Sequence, residues 1–336
     1  MFQVIAMWNL TRPDLEMKDS VENIKLRGYN SNPEDKVFLT GQFALKIKNK
    51  ELKSLSVSDI ADRYCPTRRD LYYKKGINRP SKSRRSTWGG TAGRIVERFL
   101  FDLFSKEMSK KNEKTYQNLR KVIDKFSENF QNSNKRDLEK LSQLKEGDYE
   151  NPDWLLKLLN SNGRAELGMK LLHSLLFSSK NVNLNHLSLN TASSLRLKPK
   201  PTEIGISSPV EPDFLIEGYK VIGDIKSGTE FKPFHQFTCT GYALAYENKK
   251  KKDINWGIIY FFPTRNPSAY VKPITFAQIY LFPIDDDLRR WFLDFRIEDY
   301  GLISKDKAPE FPEKVKRTHC NYCPFNEQCK SGGLKI

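Results

Sequence analysis

The chain has 336 residues, of which 38% are hydrophobic and 12% aromatic, so it can bury a sizeable core. This composition excludes a disordered protein, and no apolar run is long enough to span a membrane. A net charge of +16 favours a polyanionic partner such as nucleic acid. The N-terminus has no signal-peptide pattern, so we expect a cytoplasmic protein without a membrane partner.

Residues 1–56 form a polar N-terminal segment to which the sequence assigns no chemistry. The next segment, 57–110, starts with a short helix that Ser58 is predicted to cap and that ends near Cys65. The stretch 68–73 then interleaves two arginines with two tyrosines. This pattern fits a nucleic-acid groove or, equally well, a surface helix with two core tyrosines.

A glycine-rich loop leads into an amphipathic helix within residues 84–104, where apolar side chains recur every four positions. Gly90 and Gly93 allow a close approach of the backbone to a partner or substrate. Glu97 lies one turn into this helix, where its carboxylate would either reach a metal site or be solvated. Residues 111–198 are interpreted as a helical insertion whose sequence indicates no role.

The stretch between Glu211 and Lys226 carries the chemistry of the core segment that we assign to residues 199–300. Two short apolar runs flank Glu217-Gly218, a pattern that predicts an antiparallel hairpin with a tight turn. The first strand opens on an aspartate and the second closes on Asp-Ile-Lys. The hairpin therefore brings Asp213, Asp224 and Lys226 together as a small polar group. Ile225 alternates with Asp224 and Lys226 along the strand, so it is expected to point into the core.

Two carboxylates and a lysine at one end of a sheet suit a hard divalent cation, which takes oxygen ligands. The hypothesis makes Asp213 and Asp224 metal ligands, and assigns Lys226 to orient or deprotonate the attacking water. The Ile225 carbonyl and Glu97 are further candidate ligands. The alternative is a solvent-exposed strand end with an ordinary Asp–Lys ion pair.

The chain has five cysteines, and three of them form a C-x2-C-x5-C pattern in the final segment, 301–336, namely Cys320, Cys323 and Cys329. Four thiolates hold either zinc or an iron–sulfur cluster. Spacing leaves both metals open, although one distant cysteine joined to three neighbouring ones favours iron–sulfur. Cys65 is the preferred fourth ligand, because Cys239 falls within a helix that is expected to pack behind the hairpin.

The order of these motifs resembles the CRISPR-associated RecB-like nucleases of spacer adaptation, in the PD-(D/E)XK superfamily. The most specific parts are residues 64–70, with the sequence YCPTRRD, and the C-terminal cysteine triplet. The long helical insertion is most similar to the archaeal type I-A branch. The resemblance implies an α/β, restriction-endonuclease-like fold: a mixed sheet flanked by helices, with a helical insertion and a C-terminal iron–sulfur segment.

The same resemblance implies a DNA exonuclease, dependent on Mg²⁺ or Mn²⁺, that trims single-stranded ends of prespacers. It further implies a [4Fe-4S] cluster on Cys65, Cys320, Cys323 and Cys329. CRISPR adaptation proteins, including the integrase, are the implied protein partners. Gln236 is then the glutamine of the motif helix that follows the hairpin.

Two departures from the family pattern bear on activity. The family carries G-x-x-x-H on its first core helix; counting from Gly90 this chain has Arg94 there, and counting from Gly93 it has Glu97. The motif helix usually has Gln-x-x-x-Tyr, whereas here the glutamine and Tyr242 are separated by six positions. A catalytically weak DNA-binding or scaffolding subunit is therefore the second hypothesis, and a zinc-stabilised DNA-binding protein is the third.

Overall fold

The computed structural model describes residues 4–5, 55–77, 88–103, 116–143, 157–166, 168, 205–206, 209–216, 220–228, 230–250, 252–263, 278–311, 320 and 323–331. The first half of these residues contains one short strand and five helices, namely β1 (Val4–Ile5), α1 (Val57–Ala61), α2 (Arg69–Leu71, continued by a π-helical turn, Tyr72–Gly76), α3 (Trp88–Asp102), α4 (Tyr116–Ser133) and α5 (Lys135–Gln143). The second half contains four strands and three helices, namely β2 (Phe214–Ile216), β3 (Val221–Gly228), α6 (Gln236–Lys250), β4 (Trp256–Pro263), β5 (Gln278–Pro283), α7 (Asp286–Ile303) and α8 (Asn326–Ser331).

The five strands described form one mixed sheet in the order β1-β5-β4-β3-β2. Strands β3 and β4 run parallel, whereas the other neighbouring pairs are antiparallel. Two parallel strands need a long connection, and α6 lies in the connection between β3 and β4. The predicted mixed sheet flanked by helices is therefore confirmed.

The hairpin predicted from the sequence is present as β2 and β3, with Phe214 opposite Gly223 and Ile216 opposite Val221. The predicted turn at Glu217-Gly218 lies outside the described residues. Immediately before β3, Lys220 has a φ of 55°, the left-handed conformation that many tight turns require.

The two faces of β3 contact different helices. Ile222 is fully buried in the main core, with residues of α1, α6 and α7, and Asp224 and Lys226 follow at alternate positions on that face. Ser227 faces α3, where a Cβ added to Gly93 would lie 2.0 Å from its Oγ. Ile225 alternates with Asp224, so it shares the Ser227 face and is only half-buried. Ile225 therefore lies on the side of the sheet that α3 covers, opposite the main core.

Helices α1, α6 and α7 pack closely against one another on the Asp224 side of the sheet. A Cβ on Gly241 in α6 would lie 2.7 Å from both the Phe292 ring in α7 and the Val57 side chain in α1. This small residue therefore allows α6 to lie close to both neighbours. The three helices form a packed layer that covers the Asp224 side of the sheet.

Helix α1 begins two residues earlier than the sequence suggested. Ser56 is the N-cap: its Oγ accepts a hydrogen bond from the Asp59 backbone N–H at 3.1 Å, and the Asp59 carboxylate accepts one from the Ser56 N–H at 2.9 Å. This reciprocal arrangement needs an acidic or amide residue three positions after the cap. Ser58 has none, so its prediction as the cap is wrong.

The described parts of residues 111–198 are helical, as expected: α4, α5 and helical turns within residues 157–166. Arg164 is fully buried, and its guanidinium donates hydrogen bonds to the Ser127 and Leu158 carbonyls and to Gln131. Burial lowers the pKa of Arg164 to about 10. No helix in the described ranges is long and apolar enough to cross a membrane.

Candidate active site and cysteine group

The end of the hairpin brings Asp213 and Asp224 together. An Asp213 carboxylate oxygen accepts a hydrogen bond from the Ile225 backbone N–H at 2.6 Å, across the strand pair. The Lys226 Nζ lies 2.9 Å from Oδ2 of Asp224, whose side chain is 4% exposed. That buried oxygen has no partner in good hydrogen-bonding geometry among the described residues. The predicted meeting of Asp213, Asp224 and Lys226 is therefore present, with the last two on one face.

Nearby carboxylates stabilise the positively charged form of Lys226. Burial alone would lower the pKa of Lys226, but Asp224, Asp62 and Asp213 outweigh it and raise the pKa above its ordinary value. Asp62, the residue that ends α1, experiences the same group of charges. Burial and the Asp224 charge raise the pKa of Asp62, while Lys226 opposes them. Asp62 therefore lies within the electrostatic reach of the hairpin end.

His235 packs next to this group, in the 3₁₀ turn that precedes α6. Burial, together with the charges of Lys226 and Lys232, lowers the pKa of His235 to about 3, so its ring is neutral. The Lys232 backbone N–H donates to Nδ1 at 3.2 Å, so the ring proton belongs on Nε2. Nε2 then donates to the Tyr64 hydroxyl oxygen at 3.2 Å. Both ring nitrogens are engaged, which argues against His235 as a metal ligand or base.

Two side chains of α6 complete this region. Gln236, the first residue of the helix, is buried. Burial raises the pKa of the Tyr242 hydroxyl well above its ordinary range, and the charges of Asp224 and Asp213 add to this effect. Tyr242 therefore lies close to the carboxylates, although six positions separate it from Gln236.

On the opposite face of the sheet, α3 contains the two alternatives for the position of the family histidine. Arg94 is exposed and donates to the Thr91 hydroxyl of its own helix at 3.2 Å. Glu97 lies within α3, but its side chain is outside the described part of the structure. Gly93 is the glycine that touches β3, beside Lys226. This contact favours counting from Gly93, which assigns Glu97 to the histidine position.

The hairpin end fits a divalent cation of the magnesium type. Asp224 contributes a buried carboxylate oxygen that makes no well-formed hydrogen bond to the described residues, and Asp213 lies directly across the strand pair. Within the described ranges, no three His, Cys, Asp or Glu side chains group closely enough to bind one ion. Mg²⁺ uses only one or two carboxylates, completed by waters and substrate phosphate. Two carboxylates and a backbone carbonyl therefore satisfy its requirements.

The cysteines divide into a group and an outlier. Burial raises the pKa of Cys323 to about 11, and the nearby Asp70, Cys65 and Cys329 add to the effect. Cys320 is joined to Cys323 by a backbone hydrogen bond of 3.1 Å. Cys239 is fully buried in the main core, where its thiol donates to the Ile258 carbonyl at 3.7 Å. The structure thus brings Cys65, and not Cys239, towards the C-terminal triplet.

Within the described ranges no three cysteine, histidine or carboxylate side chains converge closely enough to bind a single ion, and this holds for the cysteines as well. Each cysteine of a four-iron cluster binds a different iron, so the thiolates need not converge on one point. The C-terminal segment is packed against α2, with the Tyr73 and Phe325 rings stacked at a centroid distance of 6.3 Å. A metal cluster bound by Cys65 and the C-terminal cysteines would connect residues that are far apart in sequence.

Arg69 makes direct contact with the cysteine group. Its Nε donates to the Cys329 sulfur at 3.2 Å, and its other nitrogens donate to the Tyr73 hydroxyl at 3.0 Å and to the Pro309 carbonyl. Arg68 has a left-handed φ of 58° and binds both carboxylate oxygens of Asp299, at 3.0 and 2.9 Å. Both arginines are buried, so the nucleic-acid-groove interpretation of residues 68–73 is wrong and the core interpretation holds.

Comparison with known proteins agrees with this arrangement. Residues 176–332 match the family model described as CRISPR-associated exonuclease Csa1. The resemblance to CRISPR-associated nucleases is thereby confirmed. The exonuclease family match covers β2 to α8, including the hairpin and the three C-terminal cysteines. No curated protein and no solved structure gave a significant match.

Several residues near the site were not predicted from the sequence. Asp62 and Tyr64 come from the end of α1 and the residues after it, whereas His235 comes from the turn before α6. No spacing rule connects residue 62 to residue 226, because tertiary packing alone brings them together. The YCP phrase after Asp62 was the available signal, although it was interpreted only for its cysteine.

Proposed function

We propose that the chain is a metal-dependent DNA exonuclease that trims prespacer ends in CRISPR adaptation. The observation that carries this proposal is the buried Asp224 carboxylate beside Lys226, with Asp213 hydrogen-bonded across the hairpin. This arrangement lies within the segment that matches the exonuclease family. The restriction-endonuclease-like classification, the type I-A branch, the integrase as partner and the cytoplasmic location are further parts of the proposal.

In this proposal Asp213 and Asp224 hold the cation, with the Ile225 carbonyl and Glu97 as additional ligands. Mg²⁺ or Mn²⁺, when bound, would neutralise the charge that develops on the scissile phosphodiester. Lys226 shares the face of Asp224, so its ammonium orients the attacking water beside the same carboxylate. Gln236, at the start of α6, is assigned to positioning the substrate.

The test is an assay on end-labelled single-stranded DNA, with Mn²⁺ or Mg²⁺ and with excess EDTA. We expect progressive shortening from one end that EDTA abolishes. Asp224→Asn and Asp213→Asn should each slow cleavage by about 100-fold or more, because an amide lacks the charge that binds the metal. The amide oxygen at position 213 still accepts the Ile225 hydrogen bond, so that variant isolates the charge from the fold.

Asp253→Asn is the matched control, because Asp253 is half-exposed and its ion pair is with Lys220 at 3.9 Å, away from the site. Undiminished cleavage in EDTA or in Asp224→Asn would refute the metal-dependent mechanism. Tight DNA binding without cleavage of any end structure would instead support the second hypothesis, a scaffolding subunit. The observation that favours this alternative is the exposed Arg94, which occupies one of the two candidate positions for the family histidine.

We further propose that Cys65, Cys320, Cys323 and Cys329 hold a structural [4Fe-4S] cluster. The electrostatic coupling of Cys323 to Cys65 and Cys329 supports this set, as does the separate burial of Cys239. Such a cluster, when bound, would cross-link Cys65 to the C-terminal segment, 301–336. Zinc on the same four residues is the competing assignment.

Arg69→Gln is expected to weaken retention of the cluster. The variant removes a buried N–H···S hydrogen bond to Cys329 and leaves α8 less firmly joined to α2. Loss of a partner that orients a metal ligand typically costs 10–100-fold in metal affinity, so we expect iron to be lost to a chelator about tenfold faster. The reduction potential should also fall, because hydrogen bonds to cluster sulfur raise it.

The measurements are iron per chain, decay of the visible absorbance with chelator, and the midpoint potential. Arg63→Gln is the control, since Arg63 belongs to the same stretch but pairs with Glu298 at 3.3 Å and stacks on Phe295. An unchanged potential and iron-loss rate in Arg69→Gln would contradict the assigned contact.

A further inference from the structure

Tyr64 presents an aromatic ring to solvent, unlike the other two tyrosines of its stretch. Its residue exposure is 44%, whereas Tyr72 and Tyr73, on the same stretch, are 3% and 4% exposed. The ring stands perpendicular to that of Phe234, with centroids 4.8 Å apart. This edge contact supports the tyrosine from one side and leaves a large part of it accessible.

The ring lies at the border of the candidate active site through a chain of contacts. Its hydroxyl contacts His235 at 3.2 Å, and the His235 ring stacks on Phe261 with centroids 6.0 Å apart. Phe261 is the residue of β4 that is paired with Lys226 of β3. Tyr64 is therefore held close to the Lys226 ammonium and the Asp224 carboxylate, on the side of the sheet that α6 covers.

The support beneath Tyr64 is rigid. His235 is buried between the Phe231 and Phe234 rings, with centroid distances of 5.2 and 5.0 Å. Phe231 in turn stacks on Tyr280 of β5 at 3.7 Å. A ring that is already fixed loses little conformational entropy when a ligand covers it, so such a ring binds more strongly than a mobile one.

We propose that Tyr64 stacks against a base of single-stranded DNA whose scissile phosphate lies at the Asp213–Lys226 end of the hairpin. An exposed aromatic ring beside a cation is the combination that binds single strands, since every unpaired base offers a π-face. A base inside a blunt duplex is stacked on both sides and cannot use the ring. This inference rests on the proposed nuclease function and adds the selection of unpaired ends.

The experiment measures fluorescence anisotropy with a labelled oligothymidine and with a labelled blunt duplex, in EDTA so that nothing is cleaved. Tyr64→Leu keeps apolar bulk over Phe234 but removes the π-face, whereas Tyr64→Phe keeps the ring. We expect Tyr64→Leu to weaken oligothymidine binding by about tenfold and duplex binding by less than about twofold. Tyr64→Phe should remain within about twofold of the parent protein.

Trp291→Leu is the matched control, because Trp291 is 55% exposed on α7 and should not affect binding. Melting temperature and iron content, measured on each variant, must match those of the parent protein. Unchanged oligothymidine binding in Tyr64→Leu would overturn the inference, as would an equal loss for duplex or a loss in Tyr64→Phe as large as in Tyr64→Leu. Binding in EDTA does not need catalysis, so an inactive parent protein with a tenfold effect at Tyr64 would contradict only the nuclease proposal.

Discussion

Lys226→Met is expected to lower the rate of DNA cleavage by about 10³-fold, the range typical of a side chain that acts on the attacking water. The variant keeps an apolar side chain of similar length but removes the ammonium that lies 2.9 Å from Asp224. Because the change leaves the buried Asp224 carboxylate without its cation, we also expect a lower melting temperature, so cleavage is measured well below the unfolding transition. Single-turnover cleavage of end-labelled single-stranded DNA measures the effect.

Lys220→Met provides the comparison, because Lys220 directly precedes the same strand and its ammonium forms a long, half-exposed contact with Asp253, at 3.9 Å. It should cleave at the parent rate. Full activity in Lys226→Met, or an equal loss in both variants, would remove Lys226 from the mechanism. Unaltered binding of DNA in the inactive variant would show that the loss is catalytic.

Cys65→Ser is expected to abolish iron binding and to lower the melting temperature by about 10 °C. A four-cysteine site contributes to folding directly, because it does not exist in the unfolded chain. Without it, α8 would depend on weaker contacts, among them that of Tyr73 with Phe325 and the Arg69 hydrogen bond to Cys329. Iron analysis, visible absorbance and thermal unfolding of anaerobically purified protein measure the change.

Cys239→Ala should behave differently, although it also removes one thiol. Cys239 is fully buried in the main core, so the change costs about 1 kcal/mol for the small cavity and a few degrees of melting temperature. Its iron content should equal that of the parent protein. Bleaching by Cys239→Ala, with iron retained in Cys65→Ser, would transfer the fourth ligand to residue 239.

Local patterns were sufficient to predict the hairpin and the longer helices. Two apolar runs on either side of a turn predicted β2 and β3, and apolar residues recurring every four positions predicted α3 within residues 84–104. The sequence placed Asp213 beside Asp224 because an antiparallel register fixes which residues lie opposite each other. These predictions needed only information from residues near one another in the chain.

The errors have a common physical origin in long-range packing. Both faces of β3 are covered, so alternation along the strand could not tell which face the main core occupies. A nucleic-acid groove stayed open as an alternative for Arg68 and Arg69 because their own partners, Asp299 and Cys329, are more than two hundred positions away. The contributions of Asp62 and His235 were missed for the same reason.

The stretch from Asp62 to Arg69 has one end beside the hairpin carboxylates and the other against Cys329. Between them, Arg68 holds a left-handed backbone and two hydrogen bonds to Asp299, so the path of the chain is fixed. One residue more or fewer would displace one end by about 3.5 Å, more than a hydrogen bond tolerates. The length of this stretch therefore sets the separation of the two sites, and an insertion or deletion within it would disturb at least one of them.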